Sequence, residues 1–472
     1  MPSLLLTNLT DILQARVSGD LAGRSFSSVS IDSRTIEAGE LFWAIEGPHH
    51  DGHNYLAEAE RQGAVAAVVS RVIDDLHIPQ IIVEETTAAL GRFARWHRDQ
   101  QPGIVIGVTG SVGKTTARHM LHGLLSHKYS GIQSPFNFNN QVGVPLSLLQ
   151  MQPEHEFAVI ELAASAPGEI RELGSITRHE VAWITSIAEA HLEGFGSIDQ
   201  ILTSKAELLE TLDEGGFAVL NGDDARLYEL SKTLSCPVLL YGRGHQNHFQ
   251  ATIVNREPSG WNFEVNGELF FLPAVNPALI STAAGAIAIA TELGMDIDEI
   301  RTGLRHFTPP SSRCELKTIG PWTVIDDTYN ASPLSVRAAC QTLTDWTTPH
   351  RKFLILGDML ELGLDAKRLH SETASAIGSA GIDYLIAHGE FSAEVASKAA
   401  RSGTAPHQIA DCPTLETIDF TLDCWLQPGD VILVKGSRGM RMERIISWLE
   451  QRAAELQQET KTHQARPRRA AA

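Results

Sequence analysis

The chain has 472 residues, 43% of them hydrophobic, and a net charge of −19. That length suits roughly three domains with full cores, and the acidic balance argues against non-specific nucleic-acid binding. Five scattered cysteines with no C-x-x-C pair argue against a disulfide frame or structural zinc and fit a reducing compartment, so a cytoplasmic location is expected. The opening MPSLLLTNLTDILQARVSG lacks a basic segment and a long apolar core, so no signal peptide is expected. No apolar run is long enough to span a bilayer.

Residues 1–101 carry short strand-like runs at Val29–Ile31, Leu41–Ile45, Ala64–Val69 and Ile81–Val83, which suit a small α/β module. A helical stretch, Thr86–Gln100, leads into the linker Gln101-Pro102-Gly103. Residues 102–309 then alternate strand and helix, with strands expected at Ile104–Val108, Phe157–Leu162, Val181–Ile187 and Phe217–Leu220 and an Ala-rich helix over Thr282–Leu293. This is the pattern of a parallel sheet covered by helices. Thr308-Pro309-Pro310-Ser311-Ser312 marks a second boundary. A third α/β block, 310–456, has strands expected at Thr323–Ile325, Lys352–Leu356, Tyr384–Ala387 and Val431–Val434, and its last helix ends near Leu456. The tail 457–472 reads as disordered.

The most informative stretch is GIVIGVTGSVGKTT, Gly103 to Thr116. An apolar β-branched run breaks into a Gly-rich loop and then a helix, which presents backbone N–H groups to nucleotide phosphates. Thr109, Gly110, Ser111, Gly113 and Thr116 form the cradle, Lys114 can reach the terminal phosphates, and the Thr115 hydroxyl can ligate Mg²⁺. The strict pattern requires glycine at position 108, where this chain has Val108, so the loop points to one branch of phosphate-binding enzymes.

Glu161 ends an apolar strand, where a carboxylate beside a phosphate loop is placed to hold Mg²⁺; a surface glutamate ending a strand would look the same. His191 follows the Val181–Ile187 strand, again at the edge where open α/β sheets bind ligands. Lys205, in Ser204-Lys205-Ala206-Glu207, reads on its own as a solvated helix lysine. Asp326-Asp327-Thr328-Tyr329-Asn330-Ala331-Ser332-Pro333 suits contacts to a base, a ribose or a substrate, and Ser332-Pro333 also suits a helix start. Gly357-Asp358-Met359-Leu360-Glu361-Leu362-Gly363 and Val434-Lys435-Gly436-Ser437-Arg438-Gly439 put charged residues at strand ends in the third block.

Together these pieces resemble the Mur ligase family of ATP-dependent amide ligases. The resemblance rests on VTGSVGKTT, Glu161, the His191 loop, Ser204-Lys205-Ala206-Glu207, Ser30-Ile31-Asp32-Ser33-Arg34, Gly47 with Asp51-Gly52-His53, the FNFNNQVGVP segment from Phe136 and the two later loops. It implies an α/β fold of three domains: a small UDP-substrate-binding domain, a central phosphate-loop ATPase and a C-terminal Rossmann-like domain. The implied reaction joins D-alanyl-D-alanine to a UDP-N-acetylmuramoyl-tripeptide through an acyl phosphate, giving ADP and phosphate. Another ligase of the same superfamily, one of folylpolyglutamate type, or a nucleotide-hydrolysing switch are the alternatives.

The resemblance also implies roles. Thr115 and Glu161 hold one Mg²⁺, and His191 and a carbamylated Lys205, formed with carbon dioxide, serve a second. Ser33, Arg34, Gly47, Asn139 and Asn140 fall on the UDP-substrate side, and Arg313, Asp326 and Asn330 on the nucleotide side. Asp358 and Lys435 face the incoming dipeptide or the acyl phosphate. Asn276 stands where the family has an adenine-contacting segment, but the Pro273–Thr282 stretch lacks that segment's histidine. A monomer with small-molecule partners is expected.

Overall fold

The structure, a computed structural model, describes residue 1 and residues 3–465, with side chains through residue 459. Besides a two-stranded antiparallel pair, Leu4–Leu5 with Ser25–Phe26, three larger sheets follow one another along the chain. The first has five strands, in the order Arg16–Ser18, Gln80–Ile82, Ala66–Val69, Leu41–Trp43, Val29–Ser30. The helix Thr86–Asp99 covers it. Glu85 caps that helix by accepting the Thr87 N–H at 2.8 Å, Phe93 stacks on Trp43, and the Trp43 indole N–H donates to the Thr86 carbonyl at 2.8 Å. The other side of the helix meets the second domain, where Arg98 pairs with Glu180 at 2.6 Å.

The second sheet has nine strands. Six neighbouring strands run parallel, from Gly131–Gln133 through Phe157–Glu161, Ile104–Thr109, Val181–Ile184 and Phe217–Asn221 to Val238–Gly242. The central four are apolar on both faces because helices cover both, as parallel sheets require. Ile106, Val108 and Trp183 face the helices Lys114–Leu125 and Leu279–Glu292. Val105, Ala182 and Ile184 face the opposite layer, which includes Glu169–Thr177 and Ile198–Glu210. Gly285 lets the Ala-rich helix approach the sheet: a Cβ there would lie 2.8 Å from the Trp183 ring.

The sheet is larger than the four strands read from sequence. Beyond Val238–Gly242, the strand Phe249–Glu257 joins in parallel, and Gly260–Val265 and Glu268–Leu272 then complete an antiparallel meander. Asn266 and Gly267, both at positive φ, make its second turn, the Asn-Gly pairing that matches hairpin twist.

The third sheet has six strands, in the order Glu315–Ile319, Trp322–Asp327, Val431–Lys435, Lys352–Gly357, Tyr384–His388, Ile409–Cys412, all parallel except the first. The helix Pro333–Thr344 starts at a Ser332–Ser335 capping box. The last helix runs Glu443–Ala465, past the end expected near Leu456. The tail expected to be disordered thus begins inside this helix, and residues 466–472 lie outside those described.

Candidate active site

The strand Ile104–Thr109 lies between Phe157–Glu161 and Val181–Ile184, so the crossovers leave it in opposite directions. A crevice opens at the carboxyl ends of strands at such a switch point. Here it is a cleft of about 1040 Å³, closed on its far side by loops of the third sheet.

The phosphate loop forms one wall. Gly110 has φ +141°, and a Cβ there would sit 2.2 Å from the Thr185 hydroxyl, so only glycine fits. Gly113 has φ +91° and turns the chain into the Lys114–Leu125 helix. The Thr109 hydroxyl donates to the Leu162 carbonyl at 2.8 Å and ties the loop to the next strand, and Thr116 is buried behind it. The Lys114 ammonium donates to the Gly110 and Ser111 carbonyls at 2.7 and 3.3 Å. Burial pulls its pKa below the usual lysine value.

Glu161 is buried at the floor. One oxygen accepts from the Asn139 side-chain amide at 2.9 Å, while Oε2 has no hydrogen-bond partner. An orphaned buried carboxylate oxygen costs free energy unless a cation or water satisfies it. The buried Arg118 guanidinium stands 3.8 Å from that oxygen, and its Nη1 also donates to the carbonyls of Ser134 and Phe136, the latter at 3.0 Å. Sequence reading missed Arg118. The available signal was its place one helical turn after Lys114.

Lys205 is only 2% exposed. Its amine donates to the Ala164 carbonyl at 3.3 Å and lies 5.0 Å from the centre of the Phe195 ring. Burial, helped by the nearby Lys114 charge, lowers its pKa to about 7. This is not the solvated lysine that composition suggests. His191 lines the cleft, and its Nδ1 is hydrogen-bonded to Glu361, which belongs to the charged Gly357–Gly363 loop but has no role assigned from sequence.

The opposite wall comes from the third sheet. Arg313 donates to the Thr115 hydroxyl at 3.0 Å and stacks on Tyr329, 3.9 Å from the ring centre. Lys435 is buried and donates to Asp327 at 2.5 Å and to the Asn330 carbonyl at 2.9 Å. Asn276 also lines the cleft; its side-chain oxygen accepts the Ala278 N–H at 2.9 Å.

Six of the other expected positions lie outside the cleft lining. Asp326 is buried and fully engaged: Lys317 donates to it at 2.7 Å, and Thr328 donates through its hydroxyl at 2.7 Å. Its neighbour Asp327 lines the cleft instead. Asp358 accepts the backbone N–H groups of Glu390 and Phe391 at 2.6 and 3.2 Å, which anchors the loop before the helix Ser392–Arg401. Asn140 accepts the Val142 and Gly143 N–H groups at 3.2 and 2.9 Å, so Asn139 alone of the pair lines the cleft. Ser33, Arg34 and Gly47 lie on the first domain, outside the cleft lining; Ser33 is buried and Arg34 forks onto Asp32 at 2.8 and 2.6 Å.

The chain matches the Mur ligase family, catalytic domain over residues 25–98, the Mur ligase middle domain over 108–288 and the Mur ligase glutamate ligase domain over 312–438. It is 34% identical to the UDP-N-acetylmuramoyl-tripeptide–D-alanyl-D-alanine ligase of Escherichia coli K12, covering 96% of this chain and 99% of that protein. The Bacillus subtilis ligase of the same name is 33% identical over 91% of this chain and 95% of its own length. Among solved structures, MurF from Acinetobacter baumannii superposes with a TM-score of 0.87 at 29% identity, covering 96% of this chain and 99% of that one. With such relatives spanning nearly its whole length, and with the phosphate loop, Glu161 and His191 meeting on one cleft and Lys205 buried behind Ala164 on its wall, the chain belongs to the Mur ligase family.

Proposed function

We infer that this chain is an ATP-dependent amide ligase that joins D-alanyl-D-alanine to UDP-N-acetylmuramoyl-tripeptide in peptidoglycan precursor synthesis, the activity its relatives are named for. The observation that carries the reading is the cleft, where a phosphate-cradling loop and a buried carboxylate face the basic side chains of another domain.

A carboxylate is a poor electrophile, so amide formation needs its oxygen turned into a leaving group. In the first step the tripeptide's terminal carboxylate attacks the γ-phosphorus of ATP, the β–γ bridging bond breaks, and ADP leaves. In the second, the dipeptide's free amine attacks the acyl carbon, phosphate leaves with the bonding pair, and the amine gives up a proton. The protein's work is positioning and charge neutralisation. Lys114 and the loop N–H groups hold the β- and γ-phosphates, and Arg313 and Lys435 neutralise charge from across the cleft. Asn330 and Asn276 border the nucleotide side.

The orphaned Glu161 oxygen and the Thr115 hydroxyl suit one Mg²⁺, with a second near His191 and Lys205, and such ions would screen the phosphates. Lys205 suits carbamate formation: its near-neutral amine can add to carbon dioxide, lose a proton and become an anionic oxygen ligand. Ser33, Arg34 and Gly47 take the UDP end, with Asn139 at the join to the cleft.

Phosphate release tests the reading. Release is expected only when ATP, UDP-muramoyl tripeptide and D-alanyl-D-alanine are all present. Equal release with ATP alone would sink it in favour of a nucleotide-hydrolysing switch.

A further inference from the structure

His191 and Glu361 meet across a domain boundary, one within the middle-domain match and the other within the C-terminal match. Both are non-glycine residues in the left-handed region, at φ 55° and 63°. Each such residue costs free energy that surrounding structure must offset. The pair itself offsets little: the glutamate side chain is 57% exposed, and exposed ion pairs contribute little to stability. Two strained residues joined by a weakly stabilising bond point to a role beyond holding the fold.

Around the pair the two domains are also matched in shape. The Glu193 N–H donates to the Glu361 carbonyl at 3.1 Å. Gly363, at φ +58°, lies against Glu193, where a Cβ would come within 3.4 Å of its Cα. The Glu361 loop is thus held to the His191 loop by backbone as well as side chain. A carboxylate on Nδ1 fixes the proton there and leaves the lone pair on Nε2. Among the described residues Nε2 has no hydrogen-bond partner, and the ring lines the cleft.

We propose that Glu361 is a positioning residue for the ligation: seating of the C-terminal domain brings its carboxylate onto His191 Nδ1, which turns Nε2 towards the cleft as an acceptor. Domain closure and assembly of the phosphate end of the site become one event. This rests on the ligase reading above, yet it makes a structural claim that is testable apart from turnover.

The test is a double-mutant cycle on the full chain with two readouts. Glu361→Ala is expected to lower kcat about tenfold, with KM for the UDP-tripeptide little changed. Glu361→Gln, whose carbonyl accepts the same N–H, is expected to recover to within about threefold. His191→Ala combined with Glu361→Ala is expected to be no slower than His191→Ala alone, because the second residue acts through the first. Nitrogen-edited NMR of the imidazole, assigned with His191→Asn, reads the Nδ1–H tautomer in the wild type and its loss in Glu361→Ala. Additive losses, or a tautomer unchanged in Glu361→Ala, would overturn the proposal. If the wild type turns over no substrate, the ligase reading fails while the tautomer still tests the pair.

Discussion

An amine that titrates near neutral pH, rather than several units higher, changes what a lysine can do. For Lys205 the shift comes from burial first and the Lys114 charge second. Between about pH 7 and the unfolded value of 10.5, the unfolded chain holds a proton that the folded chain does not. This group therefore makes stability rise with pH across that window. The neutral amine follows the same curve, so initial rates are expected to climb about tenfold from about pH 6 to 8 if carbamate formation limits activity. Lys205→Ala is expected to lose about 100-fold in kcat, partly restored by short carboxylic acids. Full activity without them would refute the carbamate role.

The sequence shows that Lys205 lies on a helix but not that the helix buries it, because burial is set by the distant Phe195 and Ala164. Asp326 and Asp327 fail to resolve for a different reason. Successive strand residues point to opposite faces, so the pair announces a site without saying which member serves it. Asp358 was legible as a strand-end residue, but its partners, the Glu390 and Phe391 amides, are far along the chain.

At the scale of elements, the strand–loop–helix around Lys114 was readable because apolar run, glycines and helix formers stand in one window. The meander from 249 to 272 was not read, although Asn266-Gly267 carried its turn signal; its strands are short of the continuous apolar runs that mark the buried strands. The Ala-rich helix gives the sharpest packing test. Gly285 sits so close to Trp183 and Tyr241 that a larger side chain must displace them. Gly285→Val is expected to destabilise the protein by about 2 kcal/mol or more, read as a lower urea midpoint at unchanged slope. An unchanged midpoint would show that the helix can move away from the sheet at little cost.

For the whole molecule, the C-terminal domain is also held far from the chemistry. Arg256, on the meander, donates to the Asp345 carbonyl and lies 4.6 Å from the Trp346 ring centre and 5.6 Å from that of Trp261. A cation between two indoles is worth about 1 kcal/mol, about a fivefold change in the seated population. Arg256→Ala is expected to raise KM for ATP and the radius of gyration in solution scattering, with kcat at saturation nearly intact. A variant unchanged in both would show that the cleft-side contacts alone seat the domain.

The bonds from Lys114 back to its own loop bear on turnover. A nucleotide does not meet a free ammonium there; it must outbid the Gly110 and Ser111 carbonyls for it. Binding is thus an exchange, and its yield is the difference between charged and neutral acceptors. The same exchange runs in reverse when ADP departs, since the loop reclaims the lysine as the product leaves. A loop that can satisfy its own cation grips triphosphate less tightly than it could, and it shortens the residence time of what remains after the γ-phosphate is gone.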